Sequence, residues 1–192
     1  MTDFGAIVRG ALRFAVVSLC GFLVWAVGGK MKEGVLFAAC AVAFLVAAEI
    51  VLPALLNPPD QRKKFNRTFV PAFIAYAVAW SACWFALHSR VGEWLGLAVG
   101  CAVFALIVGK RLGAKDGFLA AIAVLFVANA IGYFLGGYVF GMARKPPAFF
   151  DGWAKADIWK LAKLTWGLFF GLGFGAGIGF VFHRFQRPST PS

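Results

Sequence analysis

Few residues in this sequence have the chemistry to act at a site, and Glu49 is the first of them. It is the only acidic residue deep inside any of the long apolar segments. A carboxylate at membrane depth is costly and normally faces the protein interior, paired or protonated. Glu49 is therefore a candidate to bind a proton, a cation or the amine of a ligand. The structural alternative is that it lies near a helix end and is hydrogen-bonded to a neighbouring helix, such as that of Asn129.

Asn129 is the second candidate, because it also lies within an apolar segment. An amide there contacts a ligand or, more commonly, links two helices. The histidines His88 and His183 fall at the ends of different apolar segments. The cysteines stand in four separate segments without C-x-x-C spacing, which indicates free thiols: Cys20, Cys40, Cys83 and Cys101. We expect no metal site, no cofactor and no catalytic residue.

Composition decides the class of protein. Hydrophobic residues make up 61% of the sequence and charged residues only 14%, whereas a soluble domain has about 25% charged residues. The formal net charge is +11, and the basic residues lie mostly at the ends of apolar segments, where they contact anionic head groups. We expect an integral membrane protein whose partner is a lipid bilayer with anionic head groups, and no nucleic-acid binding.

The apolar segments predict an all-α chain with six transmembrane helices. Their approximate bounds are residues 11–29, 33–56, 68–87, 91–109, 117–141 and 163–183. Pro53 should kink or end the second span. The short turn at residues 88–90 should join the third and fourth spans as an antiparallel hairpin. Residues 1–187 would then form a single polytopic domain, followed by a disordered tail at 188–192.

The connection before the sixth span predicts an interfacial amphipathic helix. Asp151 is a plausible N-cap, and the helix either stands alone or runs straight into the sixth span. Aromatic and basic residues of this kind favour the boundary between lipid and water; they are Trp153, Lys155, Trp159, Lys160 and Lys163.

The sixth span carries six glycines, which set it apart from the other spans. Gly167, Gly171, Gly175 and Gly179 recur at every fourth position, and Gly173 and Gly177 add a second pair. A glycine inside a helix costs roughly 1 kcal/mol relative to alanine, but small residues let helices approach closely in lipid. We expect this span to be the one against which the other helices pack.

The distribution of basic residues predicts the orientation. With the N-terminus inside, the cytoplasmic segments hold eleven lysines and arginines and the other side holds eight. Five of those eight belong to the amphipathic connection, so the short connections favour both termini in the cytoplasm, in a bacterial cytoplasmic membrane.

The two halves of the sequence carry similar residues at the ends of their apolar segments, a pattern that would fit a 3+3 inverted repeat. Such repeats are common in transporters. The Gly29-Lys30 and Pro58-Pro59 pairs of the first half match Gly109-Lys110 and Pro146-Pro147 of the second. The alternative is that glycine, lysine and proline recur because they commonly mark helix ends.

Three functions follow from these features. The first is a non-catalytic membrane subunit or scaffold that packs with a homo- or hetero-oligomeric partner through the glycine-rich helix. The second is a small transporter or ligand-capturing subunit that uses Glu49 and Asn129. An intramembrane enzyme ranks third, because the sequence offers no acid–base or metal constellation.

Overall fold

The computed structural model describes residues 2–56 and 62–187, and every regular element in these ranges is helical. The long helices are α1 (Asp3–Val27), α2 (Glu33–Val51), α3 (Arg62–Leu87), α4 (Arg90–Leu112), α5 (Phe118–Met142) and α6 (Lys155–Phe185). Each of the six is long and apolar enough to cross a membrane, which confirms the predicted number of apolar helices. The predicted tail at 188–192 lies outside the described residues.

Two helix bounds differ from the sequence prediction for identifiable reasons. Helix α1 begins at Asp3, well before the predicted start, because the side chain of Thr2 accepts a hydrogen bond from the Gly5 amide at 3.1 Å. Helix α2 ends at Val51 and not at residue 56. Pro53 has no amide hydrogen and begins a short 3₁₀ turn, Pro53–Leu55.

The segment that the sequence predicts to be an interfacial amphipathic helix is continuous with the sixth span from Lys155 onward, so it is not a separate helix. Helix α6 has 31 residues and Ala154 stands at its N-cap position. The prediction that Asp151 caps this helix is wrong. Asp151 ends a 3₁₀ turn, and the next residue, Gly152, has a φ of +87°, which turns the chain away from helical geometry.

Helix α6 lies at the centre of the bundle, between α1 and α5, and its glycines make both contacts close. Gly175 faces α1 so tightly that an added Cβ would lie 2.6 Å from the Gly10 carbonyl oxygen. Gly173 faces α5, where an added Cβ would lie 2.8 Å from the Cα of Gly132. The four-residue series therefore packs on α1, and the second pair packs on α5.

The other helices extend from this centre. Helix α4 packs between α5 and α3, and α2 packs on α1. The contact of α3 with α4 agrees with the predicted hairpin. Helices α2 and α3 make little backbone contact, whereas α5 and α6 pack closely. The two halves thus pack differently, and the inverted repeat stays a prediction from the sequence pattern alone.

The start of α1 and the end of α6 meet at one end of the bundle, which we call the terminal end. The Arg187 guanidinium lies 2.6 Å from the Asp3 carboxylate, and that of Arg184 lies 3.3 Å from Asp116. Gln186 donates a hydrogen bond to the Leu55 carbonyl at 3.0 Å. The opposite, distal end carries the α1–α2 and α3–α4 turns and the connection before α6.

We predict that Gly175→Ala and Gly173→Ala both destabilise the fold. The new methyl group would press against backbone atoms of α1 or α5, and such overpacking costs about 1–3 kcal/mol. An added Cβ at either position would lie within 3 Å of backbone atoms of the neighbouring helix, so we expect losses of similar size. The measurement is the thermal unfolding midpoint of the purified protein in detergent.

Gly137→Ala is the matched control. Gly137 lies in α5 with open space where a Cβ would stand, so alanine should leave stability unchanged or raise it by up to roughly 1 kcal/mol. Equal behaviour of all three variants would contradict the close-packing argument.

Candidate functional site

One concave feature among the described residues is an apolar cavity, open to the outer surface, that is bounded by α1, α2, α3 and α6. Its volume is about 550 Å³, and almost all of its surface consists of carbon atoms. The lining includes Phe22 and Trp25 of α1, Phe44 of α2, Phe73 of α3 and Phe170 of α6. A cavity of this size falls within the range of roughly 300–1,000 Å³ that is typical of ligand sites.

The cavity exists because α2 and α3 stand apart where small residues line the gap. Cys40 and Ala41 of α2 face Ala77 of α3 across it. The two helices are bridged by one aromatic stack, in which the rings of Phe44 and Phe73 lie 4.7 Å apart at an angle of 19°. Aromatic pairs of this kind contribute about 0.5–1.5 kcal/mol beyond the burial of their area.

Phe14 anchors the aromatic cluster behind the cavity. Its ring is fully buried and makes edge contacts with Phe44, Phe170 and Phe174 at centroid distances of 5.6, 6.2 and 5.2 Å. The cluster therefore joins three of the surrounding helices through one side chain and holds the wall of the cavity in shape.

At its distal end the cavity is bordered by Trp25 and Lys163. The Lys163 ammonium lies 4.7 Å from the centre of the Trp25 ring and donates a hydrogen bond to the Trp25 carbonyl at 3.1 Å. That carbonyl belongs to the last turn of α1, so the cation stabilises the negative end of the helix. The cavity thus has an apolar body and a cationic group at its border.

Asn129 lies fully buried in a separate polar cluster between α3, α4 and α5. Its side-chain amide donates to the Tyr76 hydroxyl at 2.9 Å and approaches the Cys101 sulfur at 3.5 Å. Asn129 therefore links helices, as the structural interpretation of the sequence expected. It does not line the apolar cavity.

Two buried polar atoms near this cluster have no hydrogen-bond partner among the described residues: the side-chain oxygen of Asn129 and the indole nitrogen of Trp80. Trp80 follows Tyr76 by one turn on α3. Buried polar groups of this kind are usually hydrogen-bonded to ordered water. The Asn129 oxygen can accept a hydrogen bond from a water molecule, and the Trp80 indole N–H can donate one.

Glu49 lies at the end of α2, exposed, and accepts a hydrogen bond from the side-chain amide of Asn66 at 3.2 Å. This hydrogen bond joins α2 to α3, whereas the sequence analysis named the helix of Asn129 as the example of a neighbour. A role of Glu49 in binding a cation or a ligand stays a prediction. Glu49 and Asn129 have different partners, so the structure does not bring the two candidates into one site.

The remaining predicted residues occupy the distal end or the sides of the bundle. Trp153 and Lys155 are exposed, and Trp159 packs against the Phe140 ring at 5.3 Å. All four cysteines are free thiols. Within residues 2–56 and 62–187 no group of three His, Cys, Asp or Glu side chains is arranged to hold a metal ion.

The apolar cavity was not predicted from the sequence. Its lining residues are ordinary apolar residues of four different helices, and their periodicity does not distinguish a cavity wall from a packed core. The small residues at positions 40, 41 and 77 are the only local signal, and alanine is common in any such helix.

We predict that Tyr76→Phe destabilises the fold, because it removes the acceptor of the buried Asn129 amide. A buried donor left without a partner costs about 1–3 kcal/mol. Adding Asn129→Leu should recover most of the loss, since removing both polar partners is close to neutral. The measurement is a double-mutant cycle of thermal stability, with Tyr138→Phe as the exposed control. Additive effects of the two changes would contradict the link.

Comparison with known proteins gives no relative from which the function of this cavity could be inferred. The chain matches no protein-family model, and no curated protein and no solved structure shows significant similarity to it. The function has to be argued from the cavity and its surroundings.

Proposed function

We propose that this chain is a non-catalytic integral membrane protein with six spans that captures an apolar ligand in the cavity between α1, α2, α3 and α6. The observation that supports the proposal is the cavity itself, which combines a volume typical of ligand sites with a lining made almost entirely of carbon.

Membrane insertion is supported by the outer surface of the bundle. Large apolar side chains are exposed on every long helix, including Phe4, Phe37, Val78, Leu119 and Ile131. Soluble monomers rarely expose contiguous apolar patches larger than a few hundred Å². A hydrocarbon environment removes that cost, and the six helices have the length to cross it.

The position of the cavity fits a ligand that arrives from the bilayer. The lining segments at residues 21–25, 37–45, 73–78 and 166–170 lie in the middle and distal halves of their helices. The gap between α2 and α3 gives a lateral route from the hydrocarbon region. An apolar ligand also needs no polar pathway through the bundle.

A partner helix is a less suitable occupant of the same space. A helix with its side chains is about 10–12 Å across. The cavity, at about 550 Å³, would hold roughly one turn of it. The volume therefore favours a small or chain-like ligand.

The chain can capture a ligand and also be a subunit of a larger complex. In that case the surface that contacts the partner differs from the glycine-rich helix that the sequence suggested. The six glycines of α6 face α1 or α5 of the same chain. A homo- or hetero-oligomeric partner would therefore bind the exposed apolar faces of the outer helices, such as α2, and not the glycine-rich helix.

We predict that both termini are cytoplasmic and that the connection before α6 lies on the opposite side of the membrane. The terminal end carries most of the basic residues of the short connections, and these favour the cytoplasm. Reporter fusions after residue 187 and near residue 150 measure the two sides separately. A cytoplasmic signal from both fusions would contradict the six-span arrangement.

We predict that Ala41→Phe and Ala77→Phe fill the cavity and exclude the ligand. The probe is a long-chain alkyl alcohol with a photoreactive group within its chain, added to the protein in phosphatidylcholine nanodiscs. Mass spectrometry of the labelled peptides should show labelling of the cavity walls that falls several-fold in either variant.

Ala38→Phe is the matched control, because Ala38 is exposed on α2 but does not line the cavity. It should leave the labelling of the cavity walls unchanged. Absence of cavity labelling in the unchanged protein, or equal loss in the control, would contradict ligand capture at this site.

A further inference from the structure

A second concave feature lies beside the cavity at the distal end, and its character is basic. It is a depression of about 470 Å³ between the α1–α2 turn and the first turns of α6. Three lysines line it, Lys30, Lys160 and Lys163, and its lining includes no acidic residue from the part of the chain that the structure describes. We call it the lysine depression.

The lysine depression and the apolar cavity meet at Trp25 and Lys163. Trp25 lines the cavity and the next residue, Ala26, lines the depression. On α6, Lys163 of the depression precedes Trp166 of the cavity by one turn. A cationic site and an apolar site therefore stand end to end.

We propose that the ligand is an anionic lipid, whose hydrocarbon chain occupies the cavity and whose head group binds in the lysine depression. This proposal rests on the proposed function and names the chemical class of the ligand. In this proposal, Lys30 and Lys160 bind the head group and so select the ligand, while Lys163 lies where the depression meets the cavity.

The head group has to provide the selectivity, because the chain cannot. Lipid tails are as apolar as the side chains that line the cavity, so a chain gains little by leaving the bilayer for the protein. Lysines near a membrane surface attract anionic lipids, and each contributes about a fivefold increase in affinity. Three lysines in one depression would therefore enrich an anionic lipid well above a neutral one.

The existing contacts of the lysines leave donors for a head group. Lys160 lies 2.8 Å from Asp157, and both side chains are about half exposed, so the pair is weak. Lys163 donates one hydrogen bond to the Trp25 carbonyl, and an ammonium group has three donors. Ala156, in the first turn of α6, also places the positive end of that helix beside the depression.

The experiment compares two photoreactive probes with the same chain, the alkyl alcohol and the corresponding alkyl phosphate. In phosphatidylcholine nanodiscs, the phosphate should label the cavity walls at concentrations at least tenfold lower than the alcohol. Lys30→Gln with Lys160→Gln should remove most of this preference, about fivefold per lysine. Labelling by the alcohol should stay unchanged, because the cavity is intact.

Lys32→Gln with Lys145→Gln is the matched control, since both residues are exposed near the distal end but do not line the depression. These changes should keep the preference for the phosphate probe. The control separates the lysine depression from general attraction by the basic surface.

The outcomes separate this inference from the proposed function. Equal labelling by the two probes, or a preference that survives Lys30→Gln with Lys160→Gln, would overturn the assignment of an anionic lipid while leaving capture of an apolar ligand in place. Inorganic phosphate that competes as well as the alkyl phosphate would show a site for a free anion and would also overturn it. In Ala77→Phe, which keeps the lysines but fills the cavity, we expect both probes to lose their labelling of the cavity walls.

Discussion

The close backbone contact of α6 with α1 and α5 is the interaction on which the rest of the bundle depends. In the lipid environment that we propose for this chain, helices gain no hydrophobic free energy from leaving their surroundings, so van der Waals contact and hydrogen bonds have to hold them together. The glycines of α6 allow the backbones of three helices to touch, and Gly10 of α1 and Gly132 of α5 meet them with glycines of their own. Ser18 strengthens the same interface with a hydrogen bond of 2.7 Å to the Gly167 carbonyl.

A centre made of glycine has little side-chain volume, and large aromatic residues fill the space around it. Phe14, Phe69, Phe104 and Phe174 are fully buried and contact one another by their edges. These rings fill the region between α1, α3, α4 and α6. Aromatic rings also line the apolar cavity, but between them Cys40 and Ala41 of α2 and Ala77 of α3 are small. The space that these three side chains leave open forms part of the cavity.

Two basic side chains stabilise helix ends from neighbouring helices. Arg13 of α1 donates a hydrogen bond of 2.8 Å to the Val51 carbonyl at the end of α2, and Lys163 of α6 donates to the Trp25 carbonyl near the end of α1. Carbonyls at helix ends lack partners within the helix, and a cation there also interacts favourably with the helix dipole. Part of the high positive charge therefore serves the fold. Lys30 and Lys160, by contrast, line the depression beside the cavity, which is where the proposed head-group site requires a cation.

The sequence by itself determined the all-helical class and the six apolar helices. These features depend on local periodicity and composition, which a single helix displays without its neighbours. The sequence offered two roles for Asn129, a contact to a ligand or a link between helices, and the role in ligand binding stays a prediction. Tertiary structure decided the partners: Tyr76, 53 residues away, for Asn129, and Asn66 for Glu49. It also decided that the glycines contact α1 and α5 of the same chain, and that small residues of α2 and α3 face each other across a cavity. The physical reason is that such contacts depend on how far apart and at what rotation separate helices pack, and the pattern along one helix does not specify either quantity.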